Sequence, residues 1–307
     1  GWVGVEVKST TSPSTTWTWE NFTLRAVFAG GNPSGYSNVM DYITIDTTGN
    51  ATDFGDLTVA RGSMSGLNDN TRGVIVGGTN GSDTDVMDYI TILTTGNATD
   101  FGNLTTVRRD TGACNSDTRG LIGSGAPTTN IIEYITTATT GNSTDFGDLT
   151  NSRSASSGLN SDVRGVFGGG ANGLGAYYNI MDYVTIASTG NATDFGDLVT
   201  GNAAGIAGIS NTTRGIWAGG YRAAAHSNII EYITIATTGN STDFGDLTAI
   251  RTSGAGASSE TRGVTGGGHS NQNIIDYVTI ATTGNATDFG DLTVGRSGFA
   301  GMSNYAP

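Results

Sequence analysis

Apolar residues along this chain arrive in short bursts separated by Gly, Asn, Thr and Ser, and none of the bursts repeats at helical spacing. The stretch from Leu57 to Leu104 shows the pattern. Residues 57–69 (LTVARGSMSGLND) predict a first strand, Arg72–Gly78 (RGVIVGG) a second and Val86–Leu93 (VMDYITIL) a third. Thr99–Leu104 predicts a fourth, reached through a Gly-Asn pair suited to a tight hairpin. The first strand is crowded with Gly, Ser and Ala, as are its counterparts SASSG, AAGIAG and GAGAS, which fits a position squeezed at an axis. The second and third are nearly continuously apolar, as expected of a sheet covered on both faces.

The pattern repeats. A segment close to TTGNATDFGDLT occurs six times, with its glycine at Gly49, Gly96, Gly141, Gly190, Gly239 and Gly284, spaced by 47, 45, 49, 49 and 45 residues. An arginine opening the second strand falls at Arg25, Arg72, Arg119, Arg164, Arg214 and Arg262. An acid–tyrosine pair marks the third, with tyrosine at 42, 89, 134, 183, 232 and 277. Units of this length holding four short strands predict propeller blades. The ends predict how the ring closes: after Leu292 the chain supplies a first strand with no second, and at Arg25 a second strand with no first. Joining them completes the sixth blade and removes the free edges. The expected fold is all-β, a six-bladed β-propeller over 25–307 with four antiparallel strands per blade. Residues 1–24 are expected to be an extension or linker, with Trp17 and Trp19 able to dock on the ring.

Composition narrows the partners. Glycine contributes 49 residues, Lys occurs once (Lys8), Glu five times, and the formal net charge is −13. That excludes a helical bundle and argues against a nucleic-acid or anionic membrane partner, both of which require clustered basic residues. A single cysteine, Cys114, allows no intramolecular disulfide, and no apolar run is long enough to span a bilayer.

A double glycine closing strand two, a Tyr in strand three, an aromatic in strand four and then an Arg resembles the kelch layout. The fourth-strand aromatic is Phe here (Phe54, Phe101, Phe146, Phe195, Phe244, Phe289), and the following Arg is Arg61, Arg108, Arg153, Arg251 and Arg296, with Asn202 in the remaining copy. Ser124-Gly125 replaces one double glycine. The wording of the repeat is most similar to the kelch-like repeats in structural proteins of marine tailed phages, including cyanophages. This resemblance implies a non-enzymatic virion component at the virion surface or outside the cell: a tail fibre, an adhesin or a decoration protein. It implies other virion proteins as partners, a host-surface glycan as ligand and assembly with further copies of the chain. A secreted bacterial lectin-like module is the alternative.

Candidate chemistry is sparse. The six DFG triplets lack the lysine and HRD partners of a kinase, and Gly168–Gly173 matches GxGxxG without a helix to follow it. The Asn-Ala-Thr and Asn-Ser-Thr sequons fall in the repeated turn, where Asn has a structural role. Aspartate pairs such as Asp53 and Asp56 are too sparse for a calcium loop, and the Arg25 set is expected to pair with carboxylates between strands or blades. A copper site of the galactose-oxidase kind needs more histidine than His226 and His269 supply. We therefore expect no catalytic residues, no metal and no cofactor. What varies is more informative. From the acid to the Gly-Asn glycine, and from that glycine to the leucine, every copy has 8 residues, whereas the double glycine and the acid are 10, 10, 8, 12, 11 and 8 apart. These variable loops join strands two and three on one face of the ring, and they gather Tyr36, Tyr177, Tyr178, Tyr221, Arg222, His226 and His269. Tyr and Arg on rigidly held variable loops make a candidate ligand-binding surface.

Overall fold

The computed structural model describes residues 23–307 apart from 200, 202, 223 and 224. The extension proposed for residues 1–24, with Trp17 and Trp19, therefore lies almost wholly outside the described residues, as does Asn202. Six sheets of antiparallel strands stand around a common axis, and no helix occurs among the described residues. Blade 1 is built from Ala300–Ser303, Arg25–Ala29, Val39–Thr44 and Thr52–Asp56, in that order from the axis outward. Its innermost strand comes from the far end of the chain, with Ala26 opposite Ser303 and Ala29 opposite Ala300, so the ring closes as the repeat predicts. Blade 2 runs Ser65–Asn68, Arg72–Val76, Val86–Thr91 and Thr99–Asn103, and blades 3 to 6 repeat this order. Blade 5 carries an added two-residue pairing of Ala203–Ala204 with Tyr221–Arg222.

The inner strand is shorter than the sequence suggests. Of residues 57–69 only Ser65–Asn68 pair with the second strand; 57–64 form the connector from one blade's outer strand to the axis, and Asp69 opens the turn to Arg72. Crowding limits the paired stretch. A Cβ on Gly66, Gly158, Gly208, Gly256 or Gly301 would lie 2.1–2.4 Å from a carbonyl oxygen of the preceding blade. The apolar core is likewise divided among the seams. One cluster packs Val27, Met40 and Phe54 of blade 1 against Ile75 and Ile90 of blade 2, and similar clusters fill the other seams.

Polar groups tie the seams at four radii. At the axis, Ser63, Asp110, Ala155, Gly205, Ser253 and Gly298 all adopt left-handed backbone, with φ between 52° and 63°. Each donates its N–H to the carbonyl of the previous one, and Ser63 donates to Gly298, so a closed circle of six hydrogen bonds surrounds the channel mouth. Farther out lie six buried ion pairs: Arg61–Asp88, Arg108–Glu133, Arg153–Asp182, Arg222–Glu231, Arg251–Asp276 and Arg296–Asp41. Five of these arginines follow the fourth-strand phenylalanine, Arg222 comes from a variable loop, and none belongs to the Arg25 set, which corrects the expectation for that set. Arg25 lies 4.0 Å over the Tyr42 ring and donates to the Ile92 carbonyl of the next blade, and its five counterparts do the same. This is a cation–π contact combined with a charge-assisted hydrogen bond.

At the rim the Gly-Asn segment does more than turn the chain. Gly96 and Ala98 donate to the Phe54 and Asp56 carbonyls of blade 1, and the Asp56 N–H donates to Asn97 Oδ1. The same side-chain contact is made by Asn50, Asn142, Asn191, Asn240 and Asn285. Each outer strand, otherwise an unpaired edge, is thus capped by its neighbour. Asp53 and Asp56 sit on this rim strand, either side of the buried Phe54.

Candidate functional site

Strand direction alternates from the axis outward, so the loops between strands two and three share a face with the start of the inner strands and the circle of left-handed residues. The opposite face carries the Gly-Asn segments. Both described chain ends also lie there: the Leu24 carbonyl accepts from Ile45, and the Tyr305 carbonyl accepts from Asn68 Nδ2 of the neighbouring blade. The variable face is therefore the one turned away from both ends.

On that face the structure brings together four of the seven residues singled out in the sequence. Tyr177 of blade 4 packs against Tyr221 of blade 5 with ring centres 5.3 Å apart. Tyr221 meets His226 edge-on at 5.1 Å, and His226 stacks on His269 of blade 6 at 3.7 Å with ring planes 17° apart. Loops from three blades thus form one row of rings. His226 Nδ1 is anchored by Thr252 Oγ1 at 2.8 Å. Lost hydration, and then repulsion from His269, hold the His226 imidazole below its ordinary pKa, so His226 stays neutral further into the acid range.

The other three lie elsewhere. Tyr178 is half-buried beside the row, its N–H donating to the Gly170 carbonyl and its own carbonyl accepting from Ala203. Tyr36 is 43% exposed and sits within electrostatic reach of Arg109. Arg222 is not a surface residue. It is buried and bonded to Glu231 and to the Gly219 carbonyl. The reason is visible in the repeat: blade 5 has Asn202 where the other blades receive an arginine from the preceding connector, and Arg222, from its own variable loop, supplies the missing guanidinium. The same blade shows a second compensation. Val199 replaces the threonine whose hydroxyl bonds the buried acid in other blades, and Ser241 bonds Glu231 instead. Blade 3 combines both hydroxyls, Thr105 and Ser143, on Glu133.

Residues not anticipated from the sequence lie near the axis. Arg109 pairs with Asp83 and stands 3.5 Å from Asp110, one of the six circle residues. Burial at the axis pushes the Asp110 carboxyl above its usual range, against a hydrogen bond from Ser63 and the charge of Arg109. The signal in the sequence was a charged residue at a position that is Ser, Ala or Gly in every other blade. Inside the circle is an open cavity of about 140 Å³. Cys114 is buried between blades 3 and 4, where lost hydration pushes its thiol far up and keeps it unreactive.

No protein-family model and no curated protein matches the chain. Among solved structures the fold is similar to that of YjhT, with a TM-score of 0.65 over 80% of this chain and 88% of that one. Sequence identity is 10%, so the likeness concerns the propeller fold alone.

Proposed function

We propose that this propeller is a non-enzymatic recognition module of a phage virion, of kelch type, which binds a host-surface glycan through its variable face. The observation that carries the reading is the row Tyr177–Tyr221–His226–His269, assembled from the loops that vary between otherwise near-identical blades. Flat aromatic faces with hydroxyl and imidazole groups at their edges suit the alternating apolar and polar surfaces of a sugar. Binding is favoured over catalysis by the surroundings of His226. Its hydroxyl partner is Thr252, and its ring face is covered by His269, with no carboxylate hydrogen-bonded to it among the described residues to orient a base.

The test is attachment of the fluorescently labelled protein to marine bacterial cells, with and without Tyr177→Ala and Tyr221→Ala. Loss of one central aromatic contact is expected to weaken attachment about ten-fold or more. Attachment that is unaffected by both substitutions sinks the assignment of the row. Absence of attachment to every host tested would favour a decoration protein that docks only on other virion components.

A further inference from the structure

Beside the aromatic row, the channel mouth departs from six-fold symmetry in one respect. Its lining consists of small, hydroxylated or apolar residues from all six blades, and Asp110 is the single charged group among them. The circle of hydrogen bonds fixes where that charge stands. Counting along it, Asp110 is three places from Ser253, whose neighbour Thr252 holds His226. Asp110 and the His226 end of the aromatic row therefore stand on opposite sides of the mouth.

Asp110 is also under-compensated. The nearby arginine, Arg109, commits its Nη1 to Asp83 and approaches Asp110 only through Nε at 3.5 Å, beyond a good hydrogen bond. Arg109, Asp83 and Asp110 together leave one negative charge. Ser63 is the hydroxyl bonded to the carboxylate, and the chain as a whole carries a net −13, which raises the local concentration of cations. The cavity of about 140 Å³ is comparable with engineered cavities that admit a six-membered ring. It is open and lined by hydroxyls and backbone, so it suits a hydrated polar group.

We propose that this cavity receives the ammonium group of a hydroxylated amine, an amino sugar being the representative ligand, with Asp110 as its counter-charge. The proposal rests on the reading of this face as a recognition surface and specifies what kind of sugar it selects. Ser253, also on the lining, supplies a hydroxyl for a neighbouring ring oxygen.

The experiment is an amide-resolved NMR titration of the full chain with glucosamine and with glucose, at about pH 6, where an amine of this basicity keeps its proton. Glucosamine is expected to shift the amides of Ser63, Asp110, Thr111 and Ser253 and to bind roughly five-fold or more tightly than glucose, the increment expected of a charge-assisted contact. In Asp110→Asn that preference is expected to vanish, leaving both sugars at the glucose level. Asn accepts the left-handed backbone of this position. Asp110→Ser, which copies Ser63 and Ser253, serves as a second variant should the first fail to fold. Equal affinity for the two sugars, or a preference that survives removal of the carboxylate, overturns the proposal while leaving the aromatic row untouched. If neither sugar shifts any amide, the glycan reading fails, and methylammonium chloride decides the cavity alone. Shifts at Asp110 that disappear in Asp110→Asn support an ammonium site, and no shifts overturn it.

Discussion

Replacing Arg296 by Met removes the guanidinium that joins the last segment of the chain to the first blade. Arg296 and Asp41 are both fully buried, with Nη2 and Oδ2 2.8 Å apart, and the Phe28 carbonyl accepts from the same nitrogen. With Arg296 gone, Asp41 keeps, among the described residues, only the Thr293 N–H and hydroxyl. An uncompensated buried carboxylate of this kind costs about 3–5 kcal/mol, or about 10 °C in Tm for a chain of this size. The pair itself is imperfect, because Arg296 Nε and Nη1 find no acceptor among the described residues, and the Phe299 ring at 5.4 Å is their main compensation. The double substitution Arg296→Met with Asp41→Leu should therefore recover most of the loss and lie within about 1–2 kcal/mol of the parent. Urea denaturation followed by tryptophan fluorescence, together with calorimetry, measures both. A loss below about 1 kcal/mol for the single substitution, or a double variant as unstable as the single one, would refute the account of these pairs as geometry enforced by burial. Arg61→Met breaks a corresponding pair away from the closure, and a similar loss is expected because the Asp88 carboxylate left behind is as deeply buried.

Thr137 occupies a buried position that is Ile45, Ile92, Ile186, Ile235 or Ile280 in the other blades, and its hydroxyl has no partner among the described residues, so Thr137→Ile should stabilise by about 1–2 kcal/mol in the same assay. A neutral or destabilising result would show that the hydroxyl is satisfied by water. At Gly208 an added Cβ would lie 2.4 Å from the Gly158 carbonyl, so Gly208→Ala should cost about 1–3 kcal/mol, and an unchanged Tm would mean that the inner strands can spread. Asp110 holds its proton to higher pH when folded than its ordinary value of 3.8, so folding takes up protons above that value and stability falls as pH rises through the window. Asp110→Asn should accordingly raise Tm at neutral pH and lose that advantage at low pH, and thermal melts showing the same difference at both would contradict it.

The repeat alone determined the blade count, the four-strand order and the closure of the ring. Those follow from periodicity: a unit of fixed length with four short apolar runs cannot bury its faces except against copies of itself. The variable face was legible for the same reason, since the repeat changes length only where no strand pairing fixes it, and Tyr177, Tyr221, His226 and His269 do come together there. Partnerships across seams were not legible, because residues such as Arg61 and Asp88, or Asn97 and Asp56, are distant in sequence and their neighbours are chosen by the rotation between blades. For that reason the Arg25 set looked like the ion-pairing one, and Arg222 looked like a surface ligand until the buried Glu231 claimed it. The inner strand, read as 57–69, is cut to Ser65–Asn68 by crowding at the axis, which no local propensity records. Asp110 acquires its meaning only at the closed circle of backbone bonds, where a single odd residue in one repeat becomes the one charge facing the channel mouth.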